Sequence, residues 1–259
     1  MSALIRSTAT VFETQVFQLL KSKRLIVCGL LACAPVAIAC VLRLFVAPDE
    51  DVPVELVAWV LIVQGITPLL SLVFGSAVIS EEVSDRTISY LFTRPVPRVS
   101  IFMGRWLASL VVTSGLLIGS AAATIGILGT HFECSDPFGV AWSLALTVVF
   151  GTAVYSALFA SLGALIKHPM IVGLGYIFAF EFLLVTAPLP GSLQHMALQF
   201  QLRSFIAGLG VDAWTGGEML GLKDLVEQSE ALTTMALLLV GGLVVGNYVV
   251  SRRQYELTA

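Results

Sequence analysis

Six apolar stretches separated by short polar ones account for most of the chain: Leu25–Val46, Leu56–Ile79, Trp106–Leu128, Phe138–Ile166, Met170–Leu189 and Leu232–Val250. At ~1.5 Å of rise per residue, each as a helix is long enough to cross a hydrocarbon core of ~30 Å. Continuous apolar runs do not alternate as barrel strands must, so six membrane helices are the expected architecture. Ahead of the first run, Ile5, Ala9, Phe12, Val16, Phe17 and Leu20 recur at helical spacing, opposite Arg6, Thr10, Glu13 and Gln18. This pattern predicts an amphipathic helix within residues 1–24, lying on the membrane surface and tied there by Lys21, Lys23 and Arg24. Between the fifth and sixth runs, residues 190–230 carry Leu193, Met196, Ala197, Phe200, Phe205 and Ile206 among repeated glycines. That segment is too broken to span and predicts short helices dipping into the outer leaflet, or a small cap.

Composition removes the soluble alternative. Only 12% of residues are charged against 57% hydrophobic, and mean hydropathy is +0.94. A soluble domain is about a quarter charged, so no water-exposed surface can be assembled from this chain. No basic stripe exists to neutralise phosphates, which excludes nucleic-acid binding. The first apolar run is too long for a cleavable signal. No cysteine pair among Cys28, Cys33, Cys40 and Cys134 has metal-ligand spacing, so no metal site is expected. The chain reads as a single all-α membrane domain over residues 1–259.

Charge placement orients it. Arg6, Lys21, Lys23, Arg24, Arg86, Arg94, Arg98, Arg105, Lys167, Arg252 and Arg253 fall on one side of the membrane, leaving Arg43, Arg203 and Lys223 on the other with Asp49, Glu50, Asp51, Glu55, Glu133 and Asp136. Lysine and arginine concentrate on the cytoplasmic side, so both termini are expected there.

The separator between the second and third runs, Ser80–Arg105, is the longest charged stretch on that cytoplasmic side. Ser80 can cap a helix whose first turn holds Glu81 and Glu82, where negative charge suits the helix dipole. Val83, Ile88, Leu91 and Phe92 follow on one face, and Pro95 and Pro97 end the helix. The expected product is a short helix over Ser80–Thr93, pinned between two spans and offered to a cytoplasmic partner.

The run EEVSDRTISYLFTRPVPRVSIFMGRWLA resembles the signature between the second and third spans of ABC-2 type permeases. Glu81 or Glu82 supplies its acid, Thr87 its threonine, Leu91 and Phe92 its apolar turn. Arg94, Pro95 and Arg98 match the proline–arginine step, and Gly104-Arg105 replaces Gly-Lys; Arg86 stands where glycine is usual. The resemblance implies the membrane half of an ATP-binding cassette exporter in a bacterial cytoplasmic membrane. It further implies that residues 80–98 couple this chain to an ATPase, through Glu81, Glu82, Arg86, Thr87, Leu91, Phe92, Arg94, Pro95 and Arg98. The complex implied has two ATP-binding subunits, and a second permease copy or a related chain. No lysine sits in a G-K-[ST] phosphate loop, and H-E-x-x-H and G-x-S-x-G are absent. The chain is therefore expected to be no enzyme and to bind no cofactor, with ATP and Mg held by the partner. The alternative is a transducer on the same scaffold, passing ATP-driven force to an extracytoplasmic partner without moving a solute.

Glu181 is the one acid deep in a span, where an ionisable group is costly and often marks a transport pathway. The competing reading is a paired glutamate that holds helices together. Arg43 is expected to snorkel toward the Asp49–Asp51 loop. Trp59, Trp106, Trp142 and Trp214 are expected at the membrane interfaces. His168 and Pro169 mark a tight turn. The small-residue runs Gly115–Ser120–Ala123 and Gly241–Gly242–Gly246 allow close helix packing, within the chain or between subunits.

Overall fold

A computed structural model describes residues 2–47, 52–84, 97–132, 136–182, 197–211 and 225–252. Among them every regular element is helical. Five helical segments are long and apolar enough to cross a membrane: Lys23–Phe45, Val54–Ile79, Arg98–Leu128, Pro137–Leu165 and Gln228–Arg252. The fifth apolar stretch contributes a shorter helix, Pro169–Glu181, within the described residues. This is an all-α integral membrane fold with about six spans.

Helix α1 (Ser2–Lys21) precedes the first span. Ser22 ends it and starts α2 (Lys23–Ala32), its hydroxyl accepting the Leu25 N–H at 3.3 Å. The first span then breaks at Cys33 into α3 (Ala34–Phe45), because Pro35 lacks an N–H and its ring displaces the preceding turn. The second span runs α4 (Val54–Ala58), a π-helical stretch π1 (Trp59–Ile66) and α5 (Thr67–Ser84). Pro68 accounts for the wide turn, since a proline inside a helix pushes away the carbonyl one turn before it.

Pro97 precedes α6 (Arg98–Leu128), so the third span begins eight residues before its apolar run. Asp136 caps α7 (Pro137–Leu165), accepting the Gly139 N–H at 2.9 Å. The fifth stretch is α8 (Pro169–Tyr176) continued as π2 (Ile177–Phe182), after the expected turn at His168. A short helix α9 (Leu198–Ala207) and the last span α10 (Gln228–Arg252) complete the described chain.

Spans two and four form the centre. They approach closely because Gly75 brings α5 against the Ser156 backbone, where a Cβ would lie 2.9 Å from the carbonyl oxygen, and Gly163 does the same against Ser76. Trp59, Phe74, Phe102, Tyr155 and Phe159 fill the interior. Gly242 lets α10 lie on the Ala157 backbone, and Gly246 faces the Phe102 ring. The second small-residue run is thus used within the chain, at both of those glycines. Large apolar side chains cover the outside, among them Phe45, Leu44, Leu237 and Ile171. Such a surface is stable only against lipid.

One expectation is corrected. Ser80 does not start a helix: α5 runs unbroken to Ser84, because no proline or helix-terminating residue separates Ile79 from the polar residues that follow. Trp59 and Trp106 are buried between helices, Trp142 lies on the outer surface of the bundle, and Trp214 is outside the described residues. The Trp106 ring is held inside by a 3.0 Å bond from Nε1 to the Ser156 hydroxyl. The acidic loop expected to receive Arg43, Asp49–Asp51, is outside the described residues. Arg43 donates to the Thr130 hydroxyl at 2.8 Å and the Ile127 carbonyl at 3.3 Å, at the end of α6.

Candidate functional site

Two regions carry candidate function, one at the end of the bundle that holds both termini and one at its middle. At the first, residues 85–96 are outside the described residues, and with them Arg86, Thr87, Leu91, Phe92, Arg94 and Pro95. Glu81 and Glu82 are placed by their backbone in the extension of α5. Arg98 opens α6 and donates to the Ser251 carbonyl at 3.2 Å, near the end of α10. The described chain thus breaks off at the end of α5 and resumes at a helix start fixed to the last span.

The ends of α5 and α6 are also joined to one another. Arg105, 8% exposed, donates Nη1 to the Val78 carbonyl of α5 at 3.1 Å and Nε to the Gln15 side-chain oxygen of α1 at 3.0 Å. Ser7 bonds Ser100 at 3.0 Å. Gly104 gives α1 room: a Cβ there would lie 2.9 Å from the Thr8 carbonyl and from Val11. Helix α1 thus presents two faces. Phe12, Val16 and Leu19 pack on the protein, and Ile5, Phe17 and Leu20 point away, as a surface helix in lipid requires. The sequence pattern located the apolar side but not the polar seam with α6, because Ser7 and Gln15 carry no period of their own.

At mid-bundle, the Glu181 carboxyl is 2% exposed and fully engaged. One oxygen accepts the Tyr176 hydroxyl at 2.8 Å and the Leu198 N–H at 3.2 Å; the other accepts the Gln199 N–H at 2.9 Å. The last two are donors of the first turn of α9, which no helix carbonyl can satisfy, and the partial positive charge of that helix end faces the acid. Gln199 extends the network, donating through Nε2 to the Val63 carbonyl at 3.0 Å and to the Tyr155 hydroxyl at 3.2 Å.

The Val63 carbonyl is available for a physical reason. In an α-helix it would accept from Thr67, but the π turn sends the Thr67 N–H to Ile62, and the next residue, Pro68, has none. A proline in span two thus creates an acceptor that a glutamine from α9 fills. The network joins spans two, four and five to α9, which enters the bundle to this depth. Leu202 packs where Gly151 leaves space, Phe205 meets the Phe150 ring at 5.1 Å, and Gly208 closes on Gln228 at the start of α10. Helix α9 therefore climbs from the middle of span four to the end of the bundle opposite the termini. The Glu181 carboxyl thus ties the fifth span to the start of α9. Gln199 and Tyr155 were not legible from the sequence; a glutamine in the first turn of a short helix carries no signal without its partner.

A comparison with known families matches residues 9–238 to the family described as ABC-2 family transporter protein. No curated protein matches the chain.

Proposed function

The chain belongs to the ABC-2 transporter family and is an ABC transporter permease, a multi-pass membrane component, and we propose that it works as an exporter driven by a separate ATPase subunit docked on residues 80–98. The family match over nearly the whole chain carries this reading. The connections of α5, α6, α10 and α1 around the base of the segment support it, because a push delivered there reaches four helices at once. Both described chain ends lie at this end of the bundle, Ser7 beside Ser100 and Ser251 beside Arg98, in keeping with cytoplasmic termini in an inner membrane. ATP and Mg would be bound by the partner, and two permease chains with two ATPases would make the transporter. The transducer alternative uses the same contact and differs in having no solute.

Charge reversal at Glu81 and Glu82 tests the dock. Lysine is as good a helix former as glutamate, so α5 persists, while complementarity to a basic ATPase groove is lost. The Glu81→Lys, Glu82→Lys double variant should accumulate in the membrane normally but lose co-purification with the ATPase. Full co-purification would place the dock elsewhere.

A further inference from the structure

Where α1 ends and the first span begins, exposed charge and exposed apolar area meet at one corner. Helix α1 stops at Lys21 and α2 starts at Lys23, with Ser22 as the joint. Both lysines are exposed, while Arg24 is half-buried. Phe17 and Leu20 lead up to them along α1, and Ile26, Val27 and Leu30 follow on α2, the last three exposed by 72%, 68% and 78%. Side chains of this size and exposure on a membrane span are covered by acyl chains.

The lysines therefore stand where the apolar covering of the span gives way to headgroups. A lysine can lay its methylene stem on the apolar face there and hold its ammonium at the polar boundary. The helices around them add positive charge rather than negative. Helices α1 and α2 pack on each other, on α3 and on α6. These helices contain one acid, Glu13, against Arg6, Lys21, Lys23, Arg24, Arg98 and Arg105 at this end. Glu13 precedes Lys21 by ~12 Å along the helix axis. A headgroup with net negative charge suits such a corner, whereas a zwitterionic one brings an ammonium that the lysines repel.

We propose that this corner is a binding site for an anionic phospholipid of the leaflet at the end of the bundle that holds the termini. Lys21 and Lys23 take its phosphate, and its acyl chains run along Ile26, Val27 and Leu30. The inference does not depend on where the ATPase docks.

Native mass spectrometry of the full-length permease in detergent, titrated with phosphatidylglycerol or phosphatidylcholine of matched chains, measures the preference. The parent should bind one phosphatidylglycerol about tenfold more tightly than phosphatidylcholine, the scale set by two lysines at an anionic headgroup. The Lys21→Gln, Lys23→Gln double variant should lose that preference at unchanged thermal stability, and Lys21→Arg, Lys23→Arg should keep it. Lys167→Gln, which removes an exposed charge in the turn before α8, should leave it unchanged. A phosphatidylglycerol carrying a diazirine in its acyl chain should label α2 between Ile26 and Leu30 in the parent and not in the glutamine variant.

Equal affinity of the parent for the two lipids would overturn the proposal. So would a preference that Lys167→Gln lowers as much as the double variant does, because summed charge and not a site would then select the lipid. Labelling confined to other spans contradicts the placement on α2. Displacement of the lipid by millimolar inorganic phosphate would assign the lysines to a soluble anion instead. A glutamine variant that keeps its phosphatidylglycerol but no longer co-purifies with the ATPase would give the corner to a protein partner and end the lipid reading.

Discussion

Glu181 shows what a carboxyl in the middle of a membrane bundle can be for. Two backbone N–H groups of the first turn of α9 and one tyrosine hydroxyl converge on it, so the cost of burying it is offset by donors that would otherwise be orphaned. Glu181→Ala leaves those donors buried without acceptors, at a cost of roughly 2–4 kcal/mol, since each unsatisfied buried group costs ~1–3 kcal/mol and some will be relieved by rearrangement. A lowered thermal midpoint of the purified permease, with Glu181→Gln falling less because it keeps one acceptor oxygen, is the expected result. An alanine variant as stable as the parent would contradict a structural role for these bonds. That it was an unusual residue was legible from sequence. Its partner was not, because Gln199 is distant in the chain and its second acceptor, the Val63 carbonyl, exists only because Pro68 turns a helix into a π-helix.

Among the elements, the long apolar runs translated directly into helices, and the misplaced boundaries share a cause. Hydropathy marks where lipid begins, whereas a helix ends only where its backbone is interrupted. Helix α5 therefore passes Ser80 into polar sequence, and α6 starts at Arg98 just after Pro97, well before its apolar run. The two small-residue runs also separate at this scale. Gly242 and Gly246 are filled by α7 and α6, while Gly115 faces open space. Enlarging Gly242 should accordingly disturb the monomer: Gly242→Leu forces the last span off the Ala157 backbone, an overpacking penalty of ~1–3 kcal/mol or more. Gly115→Leu should leave monomer stability unchanged. Thermal unfolding of the two variants in detergent decides this, and equal destabilisation would contradict the packing described.

On the scale of the whole molecule, polar contacts between helices gather at two levels, the end of the bundle that holds both termini and the middle. The Arg105, Arg98 and Ser7 contacts bind α1, α5, α6 and α10 near the ends of α5 and α6 that flank the proposed docking segment. The Glu181 network then connects spans two, four and five to α9, which continues to the far end. Family membership places this architecture among ABC-2 transporters, as the resemblance over residues 81–108 implied, and that resemblance was legible because proline and charge there interrupt the apolar runs. The account depends most on the claim that residues 80–98 receive the ATPase. A photo-crosslinking amino acid placed in turn at Leu91, Phe92, Glu13 and Lys167 of the permease, irradiated in membranes containing the ATPase, measures that contact directly. The account predicts strong adducts with the ATPase from Leu91 and Phe92. Adducts formed from Glu13 or Lys167 with none from Leu91 and Phe92 would contradict it.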